Sequence, residues 1–310
     1  MIALITLNPA LDRILNTAHL RVGAVNRAER LTVLPGGKGI NIAVILNRLG
    51  HDTIVSGFLG GLAGEFIEGS LGSQGISVAF QTIQENTRSN VIVLERDGRT
   101  TLVLEPGPTV SPSEVERLLS TYEKTIYDCD TVIFAGSLPP GVPEDIYADM
   151  ITLAKAKGIY TVLNTRGEAF AAGVRAGPDL VKPDMRLDTE LLGVNSATPS
   201  GRRELADRLF DLGVKTVAIS FRHFNHAIYT EREAFELTVE RPAGSSVVAG
   251  DAFLGGFIDA IKRNRSPVDA AIWGMSAGLA VRVNPEKRWA TQDELEALAS
   301  EIRQKPIPRN

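Results

Sequence analysis

Short apolar runs alternate with segments of helical length along most of this chain, and this alternation constrains the fold more than any other feature. The runs at residues 2–7, 52–58, 131–135, 160–164, 179–182 and 216–220 predict buried strands. Helices are predicted at 40–49, 64–73 and 144–157, with further starts near Ser111, Ala249, Ser266 and Thr291. Strands and helices in this alternation predict a mainly parallel sheet that helices cover on both faces.

One segment departs from the alternation. Residues 90–95 and 100–105 are rich in strand-forming side chains and flank Asp97 and Gly98, a dipeptide that favours a two-residue hairpin turn. We expect a hairpin outside the parallel sheet, as an accessory flap beside the main layer. The C-terminal residues 305–310 contain prolines and are expected to fray.

The composition excludes several classes of partner. The 310 residues carry a net charge of -4 without a dense basic run, so we expect no nucleic acid partner. No stretch approaches the roughly 18 apolar residues of a membrane span, and no charged leader precedes the first apolar run, so we expect neither a membrane partner nor a signal peptide. The single cysteine, Cys129, lies in an apolar run, which indicates a core residue in a cytoplasmic protein without disulfides.

Two glycine-containing motifs each open a predicted helix. In PGGKGIN, residues 35–41, the glycines let the backbone approach a ligand closely, while Lys38 and Asn41 offer a charge and hydrogen bonds. In AGDAFLGGF, residues 249–257, Asp251 lies in the first turn, where N–H groups can hold a transferring phosphoryl group and a carboxylate can accept the proton of an attacking hydroxyl. The alternatives are a tight glycine turn for the first motif and a helix cap for Asp251.

Three further positions are candidates for ligand contacts. Arg88, at the base of the hairpin, either clamps a phosphate with two hydrogen bonds or is a solvated strand charge. Ser137 follows a predicted strand, at the carboxyl end where open α/β sheets bind ligands. Asp12 follows the first strand, where a lone aspartate indicates a turn. We expect no metal site, because no set of carboxylates and histidines surrounds His223 and His226.

The motifs together occur in the order and spacing of one family. They are TLNPALD, PGGKGIN, GFLGG followed by LAGEFI, TRSN, EPGP, GSLPPGVP, LVKP and AGDAFLGGF. On these motifs the chain resembles the phosphofructokinase-B or ribokinase-like carbohydrate kinases, from residue 2 to about residue 280. The branch it resembles most is the bacterial one that holds 1-phosphofructokinase and tagatose-6-phosphate kinase.

The resemblance implies an α/β fold, a three-layer α/β/α sandwich with a mainly parallel sheet and a small β-lid. It implies a single kinase domain over residues 1–310, with the lid inserted from about 13–33 and 83–106. It also implies ATP, Mg²⁺ and a sugar phosphate as ligands, and a homodimer that pairs through the lid.

The same resemblance assigns roles to individual residues. Asp251 is the implied base. The residues implied for sugar hydroxyls are Asp12, Gly37, Asn41 and Ser137. Those implied for the phosphate on the sugar are Lys38 and Arg88. Those implied for the nucleotide and its anion hole are Lys182, Ser220, Ala249 and Gly250.

The departures from the family pattern cluster on the nucleotide side. Val248 replaces a glycine, which would add strain of roughly 1–2 kcal/mol if the position needs a positive φ. Asp184 and Leu187 stand where the family has the Asn and Glu that support Mg²⁺. Arg222 replaces a glycine and Arg166 a serine, and both offer replacement contacts to ATP.

Two functions of different classes follow. The first is an ATP-dependent kinase for a ketose phosphate of the fructose 1-phosphate or tagatose 6-phosphate type, with Asp251 as the base. The alternative is a sugar-phosphate-binding protein with weak or no kinase activity, which the changes at Val248, Leu187 and Arg222 motivate. A kinase for a neutral sugar is disfavoured, because it would leave Lys38 and Arg88 without an anion.

Overall fold

The computed structural model describes residues 1–185, 190–221, 224–240, 247–283 and 291–308, so Leu187, Arg222 and His223 lie outside the described residues. Its strands are β1 (Ile2–Thr6), β2 (Ala10–Thr17), β3 (Arg30–Gly36), β4 (Thr53–Leu59), β5 (Ser77–Val78), β6 (Gln81–Thr82), β7 (Arg88–Glu95), β8 (Thr100–Val103), β9 (Thr131–Ala135), β10 (Tyr160–Asn164), β11 (Leu180–Val181), β12 (Glu190–Leu191), β13 (Val194–Asn195), β14 (Thr216–Phe221), β15 (Asn225–Thr230), β16 (Ala234–Thr238) and β17 (Arg303–Pro306). Its helices are α1 (Lys38–Arg48), α2 (Gly61–Gly72), α3 (Pro112–Thr125), α4 (Ile146–Ala156), α5 (Gly167–Gly173), α6 (Pro199–Asp211), α7 (Ala249–Lys262), α8 (Pro267–Val283) and α9 (Gln292–Ala299), with a 3-10 turn at Val174–Ala176. None of these helices is long and apolar enough to cross a membrane.

The main sheet has the order β17-β16-β15-β14-β11-β10-β9-β1-β4-β5, and β6 also pairs with β4. All pairs from β14 to β5 and β6 are parallel, whereas β14 to β17 pair antiparallel. The predicted mainly parallel sheet is therefore confirmed. The antiparallel edge formed by β15, β16 and β17 was not predicted.

Helices cover both faces of this sheet. Successive residues of β1 point to opposite faces, so Leu4 joins a core with α1, α2, α7, α8 and α9 while Ile5 joins a core with α3, α4, α5 and α6. Both side chains are fully buried. Strands buried on both faces read as continuous apolar runs, as the sequence shows here. The predicted three-layer α/β/α arrangement is confirmed.

A second sheet of order β3-β2-β7-β8 stands apart from the main one. Its β7 and β8 form the predicted hairpin, in which Val91 pairs with Val103 and Leu94 with Thr100. Gly98 turns the chain with a φ of 87°. The hairpin outside the parallel sheet is confirmed. The strands span 10–36 and 88–103, against the predicted insertions of 13–33 and 83–106, and the role of this sheet as a lid stays a prediction.

The predicted fraying of the C-terminus is wrong for Lys305 and Pro306. Both belong to β17, which pairs antiparallel with β16, and the Ile307 N–H donates to the Ala234 carbonyl at 2.8 Å. The side chains of β17 are exposed, so no periodic pattern marks the strand, yet its backbone is paired. Proline is tolerated here because β17 is an edge strand.

Helix α7 packs against α1 and α8 almost without intervening side chains. A Cβ atom placed on Gly255 would lie 2.8 Å from Ile45 Cγ2, in α1. A Cβ atom on Gly256 would lie 2.9 Å from the Cβ of Ala277, in α8. The two glycines therefore let α7 approach both neighbours closely, and the first turn of α7 comes to lie beside the first turn of α1.

A buried carboxylate reinforces this packing at the other end of α7. Asp259 is fully buried and lies 2.8 Å from His51 Nε2, 2.8 Å from Arg263 Nε and 2.7 Å from Trp273 Nε1. Burial alone would raise the pKa of Asp259, but these three contacts outweigh burial and hold the pKa below its ordinary value. The cluster joins α7, α8 and the segment after α1.

Cys129 is buried in the core, as predicted from its apolar setting. Its thiol lies 3.6 Å from the Thr125 carbonyl oxygen, and burial raises the pKa of the thiol to about 11. A thiol with so high a pKa is protonated at neutral pH and unreactive.

Replacing Gly255 by alanine is expected to destabilise the protein by about 1–3 kcal/mol, because the new methyl group would overlap Ile45. The matched control is Gly69→Ala in α2, where a Cβ atom meets nothing within 4 Å. The control is expected to stabilise the protein by about 0.5–1 kcal/mol. Urea unfolding of both variants measures the difference, and equal free energies of unfolding would contradict the close packing of α7.

Candidate active site

A cavity of about 600 Å³ lies between the second sheet and the carboxyl ends of the parallel strands. Strands β1, β9 and β10 end at its wall, since Asn8, Ser137 and Thr165 follow them. This edge is where open α/β sheets bind ligands. Seven residues that the sequence singled out line this one cavity, namely Asp12, Gly37, Lys38, Asn41, Arg88, Ser137 and Asp251.

Asp251 is held in the cavity wall by the first turn of α1. The side chain of Asn41 donates a hydrogen bond to Asp251 Oδ2 at 2.9 Å, and Lys38 Nζ lies 3.3 Å from Asp251 Oδ1. The Asp251 side chain is only 4% exposed. The expectation that Asp251 merely caps α7 is wrong, because the cap position belongs to Val248 and Asp251 lies in the first turn.

Lys38 has two acidic neighbours in this structure. Besides Asp251, the carboxylate of Asp184 lies 3.4 Å from Lys38 Nζ, and the Asp184 side chain is 7% exposed. The sequence assigned Lys38 to the phosphate on the sugar, and that role stays a prediction. The structure places its ammonium group between two carboxylates, one of which is the predicted base.

Asp12 lies within β2 of the second sheet, so the interpretation of this aspartate as a turn residue is wrong. The Asn90 side chain donates to Asp12 Oδ1 at 2.9 Å, and a Cβ atom on Gly36 would lie 2.2 Å from Asp12 Oδ2. A glycine at position 36 is therefore required for the carboxylate to occupy this place. Sequence reasoning missed Asn90. The alternation of side chains along β7, which puts Arg88 and Asn90 on one face, would have indicated it.

Arg88 is anchored rather than freely solvated. Its guanidinium donates to the carbonyl oxygens of Asn8 at 2.8 Å, Glu105 at 2.9 Å and Pro9 at 3.4 Å. Burial lowers the pKa of Arg88 and Arg166 lowers it further, while Asp12 and Glu105 oppose them. The interpretation of Arg88 as a loose strand charge is wrong, and its guanidinium faces the cavity from a fixed position.

Asn8 is a second cavity residue that sequence reasoning missed. Its amide nitrogen donates to the Pro106 carbonyl at 2.9 Å and to Ser137 Oγ at 3.3 Å. Its Oδ1 atom is buried without a hydrogen-bond partner among the described residues, which leaves an acceptor at the cavity wall. Its place directly after β1, within the motif TLNPALD, was the available signal.

The four residues predicted for the nucleotide lie outside this cavity. Lys182 follows β11, and its Nζ atom lies 3.4 Å from where a Cβ atom of Gly250 would stand. Ala249 and Gly250 open α7, and Ser220 lies at the end of β14, which pairs with β11. The chain at 222–223 and 241–246 lies outside the described residues, and the four nucleotide roles stay predictions.

Val248 and Arg166 are two departures from the family pattern whose surroundings the structure describes. Val248 has a φ of -95°, so the strain expected for a left-handed backbone is absent. Arg166, which the sequence offered as a replacement contact to ATP, lines the cavity together with Arg88 and Ser137, and a contact with ATP stays a prediction. Arg166 lies at this cavity because it follows β10, and β10 lies next to β9, which leads into Ser137.

His226 packs behind the predicted nucleotide side. Its ring is fully buried and stacks on Phe253 with ring centres 3.9 Å apart, while Phe224 meets it edge-on at 4.7 Å. Burial, and then the charge of Lys182, hold the pKa of His226 well below its ordinary value. The ring is therefore neutral at physiological pH and serves as a packing residue.

A buried carboxylate lies at a helix start, in the wall of a polar cavity between a parallel sheet and a second small sheet. This arrangement is typical of a ligand-binding or catalytic site. The chain belongs to the pfkB family of carbohydrate kinases, whose sequence profile matches residues 5–285. The prediction of a carbohydrate kinase is confirmed.

Individual relatives extend this assignment. The chain is 30% identical to 1-phosphofructokinase of Bacillus subtilis, over 98% of this chain and 99% of the relative. It is 36% identical to tagatose-6-phosphate kinase of Staphylococcus epidermidis over 62% of each chain. The structure of a possible 1-phosphofructokinase from Thermotoga maritima, 26% identical, matches with a TM-score of 0.94 over 99% of this chain and 100% of that one.

Replacing Lys38 by methionine is expected to cost about 3 kcal/mol of stability, because two largely buried carboxylates lose their shared cation. Adding Asp184→Asn to this variant should restore part of the loss, because it removes one of the two negative charges that Lys38 neutralises. The control is Lys157→Met, which breaks an exposed pair with Glu123 and should cost less than about 1 kcal/mol. Urea unfolding measures all three variants. An unchanged stability of Lys38→Met would contradict the pairing.

Proposed function

We propose that this protein transfers a phosphoryl group from ATP to a hydroxyl of a ketose phosphate of the fructose 1-phosphate or tagatose 6-phosphate type. Asp251 acts as the general base. The observation that carries the proposal is the buried Asp251 carboxylate, held by Asn41 and Lys38 in the wall of a polar cavity. The names of two relatives, a 1-phosphofructokinase and a tagatose-6-phosphate kinase, support the substrate class.

The contacts of Asp251 suit a base. Asn41 and Lys38 fix the direction of the carboxylate, so its remaining lone pairs face the cavity. A sugar hydroxyl beside it gives its proton to Asp251 as the hydroxyl oxygen attacks the γ-phosphorus of ATP. The bond from this phosphorus to the bridging oxygen breaks, ADP leaves with that electron pair, and the proton ends on the Asp251 carboxylate. Proton removal at a fixed position of this kind contributes roughly 10²–10⁴-fold to a rate.

We assign the phosphates of ATP to the start of α7. The first N–H groups of a helix have no partner within the helix, so those of Ala249 and Gly250 are suited to donate hydrogen bonds to phosphate oxygens. The ammonium group of Lys182 lies beside Gly250 and adds a positive charge there. Ser220, at the end of β14, extends the same side.

The Asp184 carboxylate is an oxygen donor that fits a divalent cation, whereas we keep Asp251 for the proton. Asp184 lines the cavity, and its carboxylate lies 3.4 Å from Lys38 Nζ. Mg²⁺ in phosphoryl-transfer sites uses one or two carboxylates together with substrate phosphates. We infer that Asp184 supports Mg²⁺ there. When bound, Mg²⁺ neutralises negative charge on the phosphates.

The remaining cavity residues suit the sugar. The residues that we assign to its hydroxyl groups are Asp12, Gly37, Asn41 and Ser137. We assign its phosphate to Arg88, whose anchored guanidinium faces the cavity. The place of Lys38 beside the base favours a contact with the phosphoryl group in transfer over the phosphate already on the sugar.

We further propose a homodimer that pairs through the second sheet. Leu31 and Val103 are 48% and 62% exposed. The strand register places both on the face opposite to Asp12 and Asn90. Covering this apolar face with the same face of a second copy would remove it from water.

A matrix of phosphoryl donors against sugars and sugar phosphates, read by ADP release and product formation, tests the function. With ATP and Mg²⁺ we expect turnover of fructose 1-phosphate or tagatose 6-phosphate. The kcat/KM for the unphosphorylated ketose should be lower by on the order of 100-fold or more, because Arg88 then lacks its anion. If calorimetry shows that a sugar phosphate binds while no ADP is released, the kinase proposal is contradicted and the alternative of a sugar-phosphate-binding protein is favoured. Equal turnover of the neutral sugar would contradict the assigned phosphate contact.

A further inference from the structure

Arg166 stands where two cavities meet. It follows β10 by two residues and lines the cavity of about 600 Å³ together with Arg88 and Asp251. It also lines a neighbouring cavity of about 650 Å³, formed mainly by residues 137–142 and 165–169. Its side chain is exposed to both spaces, so a ligand that enters the sugar cavity from this side passes the guanidinium.

Arg166 has no anionic partner among the described residues, although Asp12 and Glu105 act as opposite charges on the neighbouring Arg88. Among the described residues the Arg166 guanidinium has neither a hydrogen bond nor an ion pair, whereas Arg88 is anchored by three carbonyl oxygens. Arg166 acts on Arg88 as a like charge. Two guanidinium groups that face one cavity repel each other, and a phosphate between them would reverse this repulsion into attraction.

We propose that Arg166 binds the phosphate that the acceptor sugar already carries, opposite Arg88, and so selects phosphorylated over neutral sugars. This inference rests on the proposed function as a sugar-phosphate kinase. Arg88 belongs to the second sheet, and Arg166 lies between β10 of the main sheet and α5, so we infer that the phosphate is held from two elements of the fold. Lys38 and Asp184 stay with Asp251, where the acceptor hydroxyl reacts.

The chemistry of arginine suits this task. A guanidinium group presents pairs of N–H donors that match two phosphate oxygens, and it stays charged at every physiological pH. A lysine at the same position supplies the positive charge but not the paired N–H donors that bind two phosphate oxygens at once. Arg166→Lys should therefore retain part of the binding that Arg166→Ser loses.

The test compares Arg166→Ser, Arg166→Lys and the control Arg175→Ser, which removes an exposed guanidinium that lines neither cavity. For fructose 1-phosphate and tagatose 6-phosphate, Arg166→Ser is expected to raise KM and the calorimetric Kd roughly 10- to 100-fold. Its kcat should change by less than about threefold, as should its Kd for ATP and its kcat/KM for fructose. Arg175→Ser should match the wild type.

The outcomes separate this inference from the function on which it rests. If the wild type turns over a sugar phosphate and Arg166→Ser keeps its KM and Kd, the inference is overturned while the kinase stands. If the wild type binds a sugar phosphate without turnover and Arg166→Ser weakens that binding, the contact of Arg166 with the phosphate is supported while the proposed kinase function is contradicted. If the wild type binds neither sugar phosphate, both fall. A rise in KM for fructose equal to that for its phosphate would also overturn the phosphate contact.

Discussion

The close contact between α7 and α1 is the constraint on which the site depends. Because Gly255 presents no side chain, Ile45 packs directly on the α7 backbone, and the two helices start side by side. Asn41 can then reach Asp251 with a hydrogen bond of 2.9 Å. A wider separation of the helices would leave the carboxylate in the same turn but without its partner. The packing of the core and the direction of the Asp251 carboxylate therefore depend on the same contact between the two helices.

The charged groups of the cavity fall into two sets. Lys38 is shared by Asp184 and Asp251, next to the helix start that we assign to the phosphates of ATP. Arg88 and Arg166 form the second set and act on each other as like charges. A substrate with a phosphate at one place and a reactive hydroxyl at another would satisfy both sets. This division of charge is the basis on which we propose a sugar phosphate rather than a neutral sugar as the acceptor.

The features of the fold that could be predicted are those with a local signal in the sequence, such as an apolar run or a turn dipeptide. Apolar runs predicted the parallel strands, and the turn dipeptide predicted the hairpin. Ser137 was predicted from its place after a strand, at the edge of the sheet where ligands bind. The partners of Lys38 were not predictable, because Asp184 and Asp251 are distant in sequence and no local pattern pairs them. Strand β17 was missed because its exposed side chains carry no periodicity. The cavity that Arg166 lines was not predictable either, since a motif gives the position along the chain but not the space that the side chain faces.

Substituting Asp251 by asparagine tests most directly whether this carboxylate is the base. Asparagine has nearly the same shape and can keep a contact with Asn41, but it cannot accept the proton of the sugar hydroxyl. The expected result is a fall in kcat of roughly 10²–10⁴-fold. The Kd for the sugar phosphate, measured by calorimetry on the same protein, should stay within about threefold of the wild type. A kcat that falls less than about threefold would contradict the assignment of Asp251 as the base.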